Sequence, residues 1–175
     1  MNYKLFIFSV VFLFISSHIV YSQGKKIDST DYEYKFKISI PVDWVKVKNE
    51  ETKNHDGVSY VYNSKKDSTI SCMIMAFKVP QVKEIDDFIY VLEKDATLNI
   101  PQRNSEFTPF DNGTNDGKLA IYKDLLSTEL IYYFRTKNES PKPNFVYMLR
   151  FITTNYTNKL ETLFKNVAGT FQILD

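Results

Sequence analysis

The sequence predicts an α+β fold, a largely antiparallel sheet of about six to eight strands with helices covering both faces. Three observations carry that expectation. Short segments with an apolar period of two recur along the chain, beginning with Tyr34, Phe36, Ile38 and Ile40. Two segments change to helical spacing: Ile85, Phe88, Ile89, Leu92 and Ala96, and later Leu160, Leu163, Phe164 and Val167. In the stretch "TISCMIMAFK" both alternating faces are mostly apolar, which calls for a covering layer on each side.

The first 22 residues are set apart from this fold. "MNYKLFIFSVVFLFISSHIVYSQ" has Lys4 as a positive start and an apolar run from Leu5 to Ile15 broken only by Ser9. That run falls short of the roughly 20 residues a spanning helix needs. Val20 and Ser22 are small enough for a signal-peptidase site, so residues 1–22 are read as a signal peptide cleaved after Ser22. No cysteine follows the apolar run, so nothing there can take a lipid. Residues 23–33, "QGKKIDSTDYE", carry little apolar pattern and are read as a flexible leader, with one domain over residues 34–175.

Within the domain the first strand ends at Pro41, which has no N–H to give a ladder, and the lone tryptophan, Trp44, opens the second. Strands follow at residues 57–63 and 69–78, joined by the polar "SKKD". The first helix spans the region after Pro80, with Asp86 and Asp87 in its first turn and Lys94 near its end, and Pro101 limits it. "RNSEFTPF", "GKLAIYKDLLS", "ELIYYFRTK" and "FVYMLRFITT" read as four antiparallel strands, the first pair joined through "DNGTNDGK" and the last through "NESPKPN". Asn158 with Glu161 forms a capping-box pattern for the second helix, Gly169 stands at its C-cap, and "TFQIL" returns as a strand.

Bulk composition excludes several classes of function. Removing residues 1–22 takes away one of 22 Lys and Arg, leaving 21 against 21 Asp and Glu. A neutral chain with dispersed charge does not suit a nucleic-acid backbone or a polybasic membrane contact. The remaining 153 residues suit a single core. Cys72 is the only cysteine, so no internal disulfide can form, and an exported protein without a cysteine pair fits a bacterial periplasm or surface. For the same reason the three N-x-[ST] matches at Asn112, Asn138 and Asn155 are discounted as glycosylation sites.

"FKISIPVDWVKV" resembles the opening of the PsbP-like and DcrB-like family, where a first strand ending in proline is followed by a tryptophan on the second. The closing segment "FVYMLRFITTNYTNKLETLFKNVAGTFQI" is similar to the end of the same family, so the resemblance runs over residues 34–174. It implies an α/β/α sandwich on an antiparallel sheet, with Trp44 folded over the core. Members are mostly non-catalytic: an extrinsic photosystem subunit, periplasmic lipoproteins, a small-GTPase binder and chaperones for exported toxins. The resemblance therefore carries no catalytic residue onto this chain, and the lipobox cysteine of the lipoproteins is missing.

The residues themselves offer little chemistry. After cleavage His55 is the one remaining histidine, in the loop "NEETKNHDGV", and a triad or a histidine-rich metal site needs more. Cys72 sits in an apolar strand, where a thiol packs and does not react. "DNGTNDGK" imitates the first half of a calcium loop through Asn112, Thr114, Asp116 and Gly117, but Lys123 stands at the twelfth position where a glutamate is needed. Its Asn-Gly and Asp-Gly pairs read as a turn. No phosphate loop, H-E-x-x-H or G-x-S-x-G occurs, so no cofactor and no metal are expected.

Tyr132 and Tyr133 are adjacent in a strand and must face opposite ways. One of them would be exposed beside Pro141 and Pro143, giving a partner surface, unless a helix covers that face too. The leading expectation is an exported, non-enzymatic binding or accessory domain that engages another envelope protein. It would have no nucleic-acid partner and no stable membrane insertion after cleavage. The alternative is a glycan or small-molecule binder with a pocket between sheet and helix. A third reading, a carboxylate-based hydrolase, needs two acids on one cleft wall, and neither Asp86 with Asp87 nor Asp111 with Asp116 suggests one.

Overall fold

Eleven strands and two helices form among the described residues of the computed structural model, which are 25–79, 84–113, 116–136 and 144–174. Residues 1–22, read above as a signal peptide, and the prolines Pro141 and Pro143 lie outside them. In chain order the strands are β1 (Lys26–Asp31), β2 (Phe36–Pro41), β3 (Trp44–Glu51), β4 (Gly57–Ser64) and β5 (Ser71–Val79) before helix α1 (Ile85–Lys94). Then come β6 (Gln102–Arg103), β7 (Thr108–Asp111), β8 (Asp116–Lys123), β9 (Thr128–Arg135) and β10 (Asn144–Thr153), helix α2 (Asn158–Ala168) and β11 (Gln172–Ile173).

The strands build two antiparallel sheets. The larger runs β3-β4-β5-β10-β9-β8-β6, with β7 also on β8, and the smaller runs β1-β2-β11. Pro41 closes β2 at the point where the chain leaves the small sheet for the large one. Trp44, 5% exposed, then packs edge-on against Phe151 and Phe164. The expected fold over the core is therefore observed.

The covering layers depart from the expectation. One face of the large sheet carries α1, whose Ile85, Ile89 and Leu92 meet Ala120, Tyr122, Ile131, Tyr133 and Met148. The opposite face carries both α2 and the small sheet, which bury Phe36, Ile38, Phe164, Val167 and Phe171 against Tyr132, Phe134, Tyr147 and Phe151. The molecule is thus sheet-dominated. A three-stranded sheet does much of the covering that helices were expected to do on both faces.

The stretch 23–33, read as a flexible leader, contains β1, which pairs with β2 from Lys26↔Pro41 to Asp31↔Phe36. Its side chains are mostly exposed, so it carries no apolar stripe for a sequence reading to find. It is held through polar groups instead: Ser29 Oγ lies 2.8 Å from the Tyr62 hydroxyl, and Asp31 accepts from Tyr60.

Both helices end as simple physics dictates. In α1 Asp86 and Asp87 sit in the first turn and Lys94 in the last, and the helix stops at Asp95, before the Ala96 position. In α2 the cap is Thr157, whose hydroxyl accepts from Leu160 N at 3.2 Å, so Asn158 is the first helical residue and not the cap. Neither helix is long and apolar enough to cross a membrane.

Candidate functional site

The β1–β2 turn is where the two sheets meet over a cleft. Asp31 Oδ1 accepts from Glu33 N and Tyr34 N, both at 2.9 Å, and Lys35 takes a left-handed φ of 57° to enter β2. That turn is fastened from below by the Tyr147 hydroxyl, which donates to Tyr34 O at 3.0 Å, and by Leu174 N on Lys35 O at 2.8 Å. It overhangs β3 and β4, leaving an open cleft of about 210 Å³ lined by Asp31, Glu33, Tyr34, Asn49, Glu51 and Tyr60.

Its polar groups are tied to one another. The Tyr34 hydroxyl donates to Glu51 Oε1 at 2.9 Å, and His55 Nδ1 lies 2.8 Å from the same oxygen. Tyr60 donates to Asp31 Oδ2. Lys78 bridges to Glu33 at 2.7 Å and lies over the Tyr34 ring, while Lys46 lies over the Tyr60 ring. The hydrogen bonds from His55 and Tyr34 hold the Glu51 carboxyl below its ordinary value. Burial, with the hydrogen bond to a carboxylate, pushes the Tyr34 and Tyr60 phenols well up. Around neutral pH the cleft thus presents an anion at Glu51 and two neutral phenols.

A second, more apolar groove of about 360 Å³ shares Glu51 and Val58 with the cleft and continues over Gly57, Ser59, Met75 and Phe77, rimmed by Glu50. Neither depression is lined by a residue of α1 or α2, so neither is the pocket between sheet and helix expected of a small-ligand binder.

The residues singled out from sequence lie elsewhere. Tyr132 and Tyr133 do face opposite sides of β9, but both are fully buried. Tyr132 is enclosed by Phe110 and Phe151 under the small-sheet layer, and Tyr133 by Phe107 and the Tyr122 hydroxyl under α1. Neither can form a partner surface, because each face of β9 has its own covering layer. Cys72 is buried, and burial pushes its thiol far up. At "DNGTNDGK", Asp111 Oδ1 accepts from Gly113 N at 2.7 Å in a turn, and Asn112 Nδ2 donates to Phe171 O. Among the described residues no group of three or more His, Cys, Asp or Glu is placed to hold a metal ion. Asp86, one of the acids weighed for hydrolysis, is bridged by Lys118.

Asp31, Tyr34, Glu51 and Tyr60 were not foreseen as a group. Asp31 lies in the segment read as a leader, and the four come from β1, the β1–β2 turn and the paired strands β3 and β4, brought together by the contact between the two sheets. One local signal existed: Asp-Tyr-Glu-Tyr at residues 31–34 is an Asx-turn composition that could have suggested a hairpin.

No family model matches the sequence, and no curated protein matches it. Solved structures do match. A protein from Bacteroides thetaiotaomicron superposes with a TM-score of 0.51 at 17% identity over 87% of this chain, which spans about half (49%) of that longer chain. PsbP (CyanoP) from Synechocystis superposes with a TM-score of 0.61 at 15% identity, covering 91% of this chain and 98% of the other. The Ran-binding protein Mog1p of Saccharomyces cerevisiae gives a TM-score of 0.50 at 12% identity, over 87% and 97%. At such identities the likeness speaks for the fold, and the fold is of the PsbP/Mog1 kind.

Proposed function

We propose that the chain is an exported, non-enzymatic binding domain of the PsbP-like and DcrB-like type. It engages another protein of the bacterial envelope through the cleft between β1–β2 and β3–β4. The observation that carries this reading is the state of the cleft. Its carboxylates and phenols are paired with one another on an accessible edge, offering hydrogen bonds, fixed charge and two tyrosine rings, the chemistry of contact surfaces. Support also comes from the neighbour described as Ran-binding, since the same scaffold there serves contact with a protein. Export rests on the sequence of residues 1–22.

The test is affinity capture by residues 23–175 from an envelope fraction, read by mass spectrometry beside the variant Asn49→Arg. Asn49 is exposed in the cleft, so the substitution fills it without touching the core. The reading expects a stoichiometric partner that the variant loses at unchanged Tm. A partner retained by the variant, or none at all, contradicts it.

A further inference from the structure

We propose that β1 is a strap that lifts off β2 while the rest of the fold stays closed, and that the cleft is complete only while the strap is down. The lift regulates the site proposed above for partner contact, and that use of it, unlike the lift itself, rests on that reading.

Apolar contact does little to hold the strap. No side chain of β1 is buried, and Ile27, its one large apolar residue, is 55% exposed, whereas Phe36, Ile38 and Ile40 of β2 are all core. β1 ends the small sheet and among the described residues pairs only with β2. Its other fastenings are polar. Ser29 and Asp31 reach the Tyr62 and Tyr60 hydroxyls, Val42 N donates to Lys25 O at 2.9 Å, and Asp28 accepts from Lys37 and from Ser39 Oγ, both at 2.7 Å. The Asp28 pairs are open to solvent and hold weakly. Lifting these six residues regains their backbone freedom and uncovers little apolar area, so it costs far less than unfolding the molecule.

The lift has a defined hinge. Tyr34 is buried and its carbonyl accepts from the Tyr147 hydroxyl, while Leu174 N holds Lys35 O, so the chain from Tyr34 onward stays in place. Between that anchor and Asp31 stand only Tyr32, 80% exposed, and the exposed Glu33. Asp31 belongs to both strap and cleft. Its Oδ1 accepts from Glu33 N and Tyr34 N and its Oδ2 from Tyr60, so lifting the strap frees both amides, releases the Tyr60 phenol and takes away one wall of the cleft. The opposite wall, Asn49, Glu51 and Tyr60 on the paired β3 and β4, stays where it is.

The ladder gives the lift a signature. Val42 N turns toward β1, whereas Ser39 N donates to Thr170 Oγ1 on the other side of β2. Along the register, alternation therefore places the β1–β2 ladder bonds at Ile27 with Ile40, Ser29 with Ile38 and Asp31 with Phe36, and sets Asp28 and Ser39 face to face without ladder bonds between them. The amides of Ile38 and Ile40 thus depend on the strap although their side chains are core.

Amide-resolved hydrogen exchange on residues 23–175, read by NMR, tests this. In the wild type the N–H groups of Ser29, Ile38 and Ile40 are expected to exchange at least about 100-fold faster than those of β9 and β10. The variant Asp28→Cys/Ser39→Cys places a disulfide across the facing pair and locks the strap down. Oxidation of that variant is expected to slow Ser29, Ile38, Ile40 and Tyr34 by at least about tenfold more than it slows β9 and β10, against the same variant reduced. Wild-type Ile38 and Ile40 amides as slow as those of β9 and β10, or a lock that leaves them fast, overturn the lift. A lock that slows them and not Tyr34 overturns its link to the cleft. Every readout comes from the free protein, so an empty envelope capture would contradict the binding reading and leave the lift decided by exchange.

Discussion

Tyr132 and Tyr133 show what one residue step in a strand decides. Alternation puts them on opposite faces, and that much is legible in "ELIYYFRTK"; which layer covers each face is not, because the covering residues come from elements up to about a hundred residues away. Their hydroxyls also differ. The Tyr132 hydroxyl is buried without a hydrogen-bond partner, whereas that of Tyr133 lies 3.0 Å from the Tyr122 hydroxyl. Tyr132→Phe is therefore expected to be neutral or to stabilise by up to about 1 kcal/mol, and Tyr133→Phe to cost about 1 kcal/mol, measured by urea unfolding. Gly117 is constrained by its neighbours: a Cβ there would stand 2.7 Å from Tyr133 O and 2.8 Å from a Phe134 ring carbon. Gly117→Ala is expected to cost about 1–3 kcal/mol in the same assay, as overpacking does.

At the scale of elements, the strands with their own apolar stripe, β2, β4, β5, β9 and β10, are those the sequence reveals most clearly. β1 is missed because its support is polar and non-local, from Tyr60 and Tyr62 on β4. β8 stops at Lys123 and not in "DLLS", because Asp124 draws the backbone into a turn, a local competition that hydropathy does not register. The loop after α1 has a different anchor. Arg150, 7% exposed, binds the buried Glu129 through two nitrogens and donates to Leu98 O at 2.7 Å and Asn99 O at 3.0 Å. Every partner in this buried cluster is satisfied, so removing one leaves a buried charge exposed to nothing. Glu129→Leu is expected to cost about 3–5 kcal/mol by urea unfolding, with faster amide exchange over residues 95–100 as its local signature.

For the whole molecule, stacked aromatic rings tie the layers together. Phe36, Phe171 and Phe134 stack in succession, and Phe151 stacks on Phe164, joining the two sheets and α2. Burial pushes the phenols of Tyr122, Tyr132, Tyr133 and Tyr147 far up. A phenol whose folded value is raised contributes stability that is fully present below its unfolded value, near pH 10, and is lost as pH rises beyond it. Thermal stability is therefore expected to fall steeply above about pH 10, with phenolate absorbance appearing together with unfolding. At the acid end Glu51, Glu161, Asp28, Asp67, Asp95 and Asp124 are all held below their ordinary values by hydrogen bonds. Their contribution is present above the unfolded carboxyl range and is lost as pH falls through the depressed folded values, so Tm is expected to decline below about pH 4. The sequence made the antiparallel organisation readable. The cleft was not readable, because it exists only where two sheets meet.

The claim that the β1–β2 overhang is the partner-binding element is tested most directly by amide hydrogen exchange on the captured complex against the free protein. Protection on binding is predicted over residues 26–34 and 44–51, with β9 and β10 unchanged. Protection confined to other surfaces, with the cleft strands exchanging as in the free protein, would contradict the account.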